Sequence, residues 1–167
     1  MMESNNQIIK NIVKKLTKLN KTISLMESCT GGFVSSAITN IENSSIILKY
    51  SAITYSNEFK IKMGVDEKII EKHSVYSIET AKEMSLRISE YTNSDYGIGI
   101  TGKLKKQDIN NPFGNDNVVY ISIYDKVYNK YYTSSIEVIY NTRQLNKEYV
   151  GKVVFDMLSN IIWLLKI

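Results

Sequence analysis

Between Thr22 and Ile41 the chain changes character twice, and this passage restricts the fold more than any other stretch. Thr22 to Met26 is an apolar run suited to a buried strand, and Phe33 to Ile41 repeats apolar residues at helical spacing. Between them stand small and polar residues, including the pair Gly31-Gly32. A strand that ends in a tight turn and feeds a helix is a building unit of sheets covered by helices. The glycines admit backbone conformations closed to residues with a Cβ. The first N–H groups of the helix lack intrahelical partners and favour negative charge, so the turn suits an anion or an oxygen that becomes one. Ser28 and Cys29, two candidate nucleophiles, stand at its entrance. A plain connection capped by Ser28 or Thr30 fits the same residues.

Periodicity supplies the other elements. Ser4 is positioned to cap a first helix in which Ile8, Ile9, Ile12, Val13, Leu16 and Leu19 share a face opposite Lys10, Lys14, Lys15 and Lys18. Alternation predicts a strand over Tyr50 to Tyr55, then short helices over Glu58 to Met63 and Asp66 to His73, and a longer one from the Ser77 cap to about Asn93. Tyr96 to Gly102 alternates Gly97 and Gly99 with Ile98 and Ile100, the pattern of a central strand closely approached by another backbone. A polar loop over 102–117 precedes a hairpin, Val118 to Tyr124 and Tyr131 to Ile139, turning near Asp125 to Lys130. Thr142 caps a terminal core-facing helix that starts at Arg143 and carries apolar residues as far as Leu165. Helices interleaved with strands and followed by a hairpin predict an α/β sandwich whose sheet is mixed.

Composition excludes several classes. One domain over 1–167 is expected, and 43% hydrophobic with 23% charged residues is incompatible with a disordered chain. Cys29 is the only cysteine, so no intramolecular disulfide and no cysteine-based zinc site can form. The polar segment 1–7 and the shortness of the apolar runs predict a cytoplasmic protein with no membrane partner. A net charge of +4 and the lysines at 103–106 are the only support for a nucleic-acid partner, without a stacking-aromatic or helix-turn-helix pattern, so none is expected.

A serine nucleophile needs a base, because its hydroxyl is barely ionised at neutral pH. Lys60, just beyond a predicted strand end, and His73, the only histidine, are the candidates. Attack by Cys29 with His73 as base is the alternative. A lysine serves as a base where burial or a nearby cation favours its neutral form.

Glu27-Ser28-Cys29-Thr30-Gly31-Gly32, Thr54-Tyr55-Ser56-Asn57-Glu58-Phe59-Lys60, Gly64-Val65, His73 with Val75 and Ser77, and Gly99-Ile100-Thr101-Gly102 together resemble the CinA C-terminal domain family, which includes nicotinamide mononucleotide amidases. The resemblance runs from the first helix to Asn141-Thr142-Arg143. It implies a three-layer α/β/α domain with a mixed sheet, and hydrolysis of the carboxamide of nicotinamide mononucleotide to nicotinate mononucleotide and ammonia. By the same resemblance Ser28 is the nucleophile and Lys60 its base. The N–H groups around Thr30, Gly31 and Gly32 hold the oxyanion or a substrate oxygen, and Tyr55, Asn57, Thr101, Gly102 and Arg143 belong to the substrate pocket. No metal or cofactor is implied; the partner is a small-molecule nucleotide, and family analogy suggests a homo-oligomer. Cys29 matches the family pattern and reads as a packed small residue.

The chain departs from the pattern after Gly102. Where the family continues with isoleucine, alanine, glycine, proline and a glycine-rich run, residues 103–111 read Lys-Leu-Lys-Lys-Gln-Asp-Ile-Asn-Asn. Lysines replace directed backbone N–H groups with point charges. The departure keeps a second function class open, a nucleotide- or partner-binding domain of weak or absent turnover.

Overall fold

A computed structural model describes the backbone of residues 2–106 and 109–164, with side chains from residue 6 onward. Leu165 and loop residues 107–108 lie outside it. In chain order the elements are α1 (Met2–Leu19), β1 (Ile23–Glu27), α2 (Phe33–Thr39), β2 (Leu48–Ile53), α3 (Asn57–Lys62), α4 (Glu67–His73), α5 (Ile78–Thr92), β3 (Tyr96–Gly102), β4 (Val118–Asp125), β5 (Lys130–Glu137) and α6 (Arg143–Trp163), with a 3₁₀ turn at Ser44–Ile46.

The sheet order is β2-β1-β3-β4-β5. β1 runs parallel to β2 and β3, while β3, β4 and β5 are antiparallel, which is the expected mixed sheet. Alternate residues serve opposite layers, because successive strand side chains point to opposite faces. Ile23 and Leu25 of β1, Ile98 and Ile100 of β3, and Val119, Ile121 and Ile123 of β4 pack with α1, α2 and α6. On the other face Met26 and Ala52 pack with Val65 and with Met84 and Ile88 of α5. The result is the α/β/α sandwich.

β3 shows why that second face carries glycine. A Cβ at Gly97 would lie 1.9 Å from the carbonyl oxygen of Ser85, and one at Gly99 would lie 2.4 Å from that of Ala81. The backbone of α5 therefore rests directly on β3, and the Ser85 and Ser122 hydroxyls meet at 2.9 Å beside the contact.

Several boundaries differ from the sequence expectation. The second strand begins at Leu48 and ends at Ile53, two residues earlier than alternation predicts, because its pairing register with β1 closes at Glu27↔Ile53. Thr54 and Tyr55 are thereby released into the connection that leads to α3. The first helix starts at Met2, so Ser4 stands inside it and not at its cap. The caps at Ser56, Asp66, Ser77 and Thr142 each accept a hydrogen bond from a first-turn backbone N–H.

Candidate active site

β1 delivers Ser28 to the end of the sheet. The Ser28 N–H donates to the Ile100 carbonyl at 3.1 Å, holding the residue in line with β3. Gly31 (φ 61°) and Gly32 (φ 92°) then turn the chain in the left-handed region, where a side chain is strained. The turn closes through the Gly31 N–H onto the Ser28 carbonyl at 3.0 Å.

The anion expected at the N-terminus of α2 is built into the chain. Glu27, fully buried, turns its carboxylate onto that end. Its Oε2 accepts from Thr30 Oγ1 at 2.7 Å, from the Gly32 N–H at 3.1 Å and from the Val34 N–H at 3.2 Å. Its Oε1 accepts from the Ser35 N–H at 2.8 Å. Of the N–H groups assigned to an oxyanion by resemblance, those of Gly31 and Gly32 are thus engaged within the turn. Among the described residues the N–H groups of Cys29 and Thr30 donate to no other residue. Of the three expected N–H groups, that of Thr30 is therefore the one not engaged within the turn.

Lys60 reaches Ser28 from α3. Only 1% exposed, its amine lies 3.1 Å from Ser28 Oγ and donates to the Thr54 carbonyl at 2.7 Å. The Thr54 N–H in turn donates to the Glu27 carbonyl at 2.8 Å. Parallel pairing of β1 with β2 is what brings the two motifs together, since both strands end on the same side of the sheet.

A cleft of about 360 Å³ opens over this pair. Ser28, Cys29, Tyr55 and Tyr76 line it, with Gly102 to Leu104, Lys106, Ile109, Asn110 and Arg143 around the rest. The Arg143 guanidinium donates to the Tyr55 hydroxyl at 3.4 Å across the mouth. Arg143 also borders a second depression, with Thr30, Gly31, Gly32, Gln144 and Lys147. Lysine 103 is the surprise of the loop: its side chain is 1% exposed, its ammonium sits 3.0 Å from Asp116, and it lies 5.0 Å from the centre of the Tyr76 ring.

Thr101, Asn57 and His73 sit outside the cleft lining. Thr101 is buried beneath the cleft and its hydroxyl donates to the Val75 carbonyl at 2.9 Å, so it ties β3 to the segment before α5. Asn57 donates to Asn111 Oδ1 at 3.1 Å in a separate depression that also contains His73. His73 faces Glu79 at 4.0 Å, so the alternative base is apart from both candidate nucleophiles. Burial pushes the Cys29 thiol up to about 12, with Lys60 and Arg143 pulling less strongly the other way. A thiol held protonated is a poor nucleophile. Tyr76 carried no sequence signal, because a tyrosine in a Ser-Val-Tyr-Ser segment looks like any loop residue until the fold places it.

Comparison with known proteins identifies the family and the fold. The CinA C-terminal domain family matches residues 5–162. The chain belongs to that family. A putative competence-damage inducible protein of Alkaliphilus metalliredigens is 42% identical over 92 residues, covering 54% of this chain and 22% of that protein. A CinA-like protein of Prochlorococcus marinus (strain MIT 9515) is 37% identical over 127 residues, covering 72% and 28%. The chain thus spans about a quarter of the length of the curated CinA relatives it matches. Among solved structures, the competence/damage inducible protein CihA from Agrobacterium tumefaciens superposes with a TM-score of 0.82 at 22% identity, over 92% of this chain and 93% of that one. The competence damage-inducible protein A (ComA) from Klebsiella pneumoniae gives 0.85 at 17% identity, over 97% and 99%. These likenesses establish the CinA fold. Among the described residues no helix is long and apolar enough to cross a membrane.

Proposed function

We propose that this CinA-family domain is an amidohydrolase that converts nicotinamide mononucleotide to nicotinate mononucleotide and ammonia, with Ser28 as nucleophile and Lys60 as base. The observation that carries the reading is the buried Lys60 amine 3.1 Å from Ser28 Oγ at the floor of a cleft. Burial disfavours an ammonium relative to an amine, which is the form a base needs. The amine takes the Ser28 proton as Oγ attacks the carboxamide carbon. The N–H groups of Cys29 and Thr30 stabilise the oxyanion that develops. The ammonium then protonates the departing nitrogen, ammonia leaves, and water activated by the same amine hydrolyses the acyl-serine ester. Tyr55 and Tyr76 supply aromatic lining suited to the pyridine, and the basic lining suits a phosphate.

The test is ammonia release from nicotinamide mononucleotide by wild type, Ser28→Ala, Lys60→Ala and Cys29→Ala. Loss of turnover by roughly a thousandfold or more is expected for the serine and lysine variants. The cysteine variant is expected to retain it. A folded wild type that releases no ammonia sinks the amidase reading and leaves a binding domain.

A further inference from the structure

We propose that the free edge of β5 is a dimer interface, and that its occupant is the β5 edge of a second copy of this chain, paired antiparallel about a two-fold axis at Ser134. This edge is separated by β3 and β4 from β1, the strand that leads to Ser28, and the proposal is independent of the amidase reading.

The two edges of the sheet are built differently. An edge strand presents unpaired N–H and C=O groups, and proteins that avoid pairing blunt it with bulges, lysine or proline. β2 carries such a device. Its register with β1 steps from Ile23↔Leu48 to Ser24↔Tyr50, so Lys49 is an extra residue in the ladder, and its ammonium donates to the Thr92 carbonyl at 3.2 Å. β5 carries none. Its eight residues pair with β4 in an unbroken register from Val118↔Glu137 to Asp125↔Lys130, without proline, and its charges stand only at the two ends. Among the described residues no strand lies beyond it.

The strand's own pattern selects the occupant. A two-fold axis normal to the sheet sets β5 against its copy antiparallel, with opposed residues on the same face. Centred on Ser134, this register opposes Tyr132 to the partner's Ile136, residues that pack on the core-facing side of the sheet. It opposes Thr133 to the partner's Ser135, both exposed on the other face. Aromatic–β-branched and Thr–Ser pairs are favourable cross-strand neighbours, and the axis generates each of them twice. The end charges agree with the same direction. Antiparallel pairing brings Lys130 beside the partner's Glu137, whereas parallel pairing would set lysine against lysine. Exposed apolar residues follow the same symmetry. Val127 and Tyr128 at the hairpin tip are 58% and 64% exposed, and Ile139, past the other end of the strand, is 64% exposed. The two-fold lays each tip alongside the partner's Ile139. An edge whose two halves complement each other is what an isologous dimer requires.

The test is sedimentation equilibrium of the chain at micromolar concentration, with two double variants, Thr133→Lys with Ser135→Lys and Thr133→Glu with Ser135→Glu. Both side chains are exposed, so the variants are expected to keep the wild-type circular dichroism spectrum. The wild type is expected to sediment at twice the chain mass. In either variant like charges oppose each other on both sides of the axis, and the dissociation constant is expected to rise about a hundredfold or more. An equimolar mixture of the two variants opposes lysine to glutamate at each of these positions, and dimers are expected to return. A monomeric wild type overturns the proposal and leaves the edge to an extended segment of another protein. Dimers of wild-type strength in the two variants overturn it as well, since another face then joins the copies, and so does a mixture that stays monomeric. Should one variant fail to fold, the other decides, and its dimerisation at wild-type strength overturns the proposal. Ammonia release is measured separately and bears on the amidase reading alone.

Discussion

Glu27→Gln isolates the device that holds the nucleophile turn in place. In the native turn Oε2 accepts three hydrogen bonds and Oε1 one, with the Glu27 side chain itself fully buried. The substituted amide can match only one of these two oxygens. With its oxygen in the Oε2 position, three bonds survive but fall from charge-assisted to neutral strength, a loss of about 0.5–1 kcal/mol each. Its NH₂ then faces the Ser35 N–H, donor against donor, and leaving that group unpaired costs about 1–3 kcal/mol. The sum is about 2.5–6 kcal/mol. For a domain of this size each kcal/mol moves the midpoint by about 2–4 °C, so the melting temperature is expected to fall by about 5–24 °C. Thermal unfolding followed by circular dichroism, with urea titration to check the slope, measures it. Thr30→Val, which removes only one of the four donors, is expected to lose about 1–2 kcal/mol. A fall below about 3 °C for Glu27→Gln would show that water or a shifted backbone replaces the carboxylate, and the account of the turn would be wrong.

Three further outcomes are expected. Gly99→Ala places a methyl 2.4 Å from the Ala81 carbonyl oxygen, so it is expected to destabilise by about 3 kcal/mol or more in urea unfolding. Burial raises the Cys29 thiol from an ordinary value of 9.0 to about 12, so its alkylation by iodoacetamide at pH 8 is expected to run about a thousandfold slower in the native chain than in urea; equal rates would refute the buried thiol. Asp95 is raised by partial burial but lowered more by Lys21 and Thr22, which bond it at 2.8 Å, leaving it below its ordinary value of 3.8. A depressed folded value means that its stabilisation is present above 3.8 and lost as pH falls through the folded value. The stability gap between wild type and Asp95→Asn is therefore expected to be constant from pH 5 to 7 and to shrink below about pH 4; a gap that widens in acid would contradict the sign.

Most of the fold was legible in the sequence because it follows from local rules. Helical spacing announced α1, α5 and α6, and the caps at Ser77 and Thr142 placed two starts to the residue. The glycine alternation in β3 announced the close approach of a helix, which proved to be α5. Strand ends were less legible, as β2 shows, because pairing register and not alternation terminates a strand. Within the candidate site, Ser28 and Lys60 were visible as motif residues, and the structure sets them within hydrogen-bond distance. Asn57 and Thr101 were expected in the substrate pocket by resemblance, and the fold directs one to Asn111 and the other to Val75.

By itself the sequence determined a strand-turn-helix with candidate nucleophiles at its entrance, an α/β sandwich around it, and the family to which the chain belongs, since spacing, glycine placement and capping are properties of neighbours along the chain. Tertiary structure alone decided that Glu27 and not a ligand occupies the start of α2, that Lys60 approaches Ser28, and that Lys103 turns inward. Those outcomes depend on which strands pair and where loops cross, and therefore on contacts between residues far apart in sequence, which no local pattern specifies.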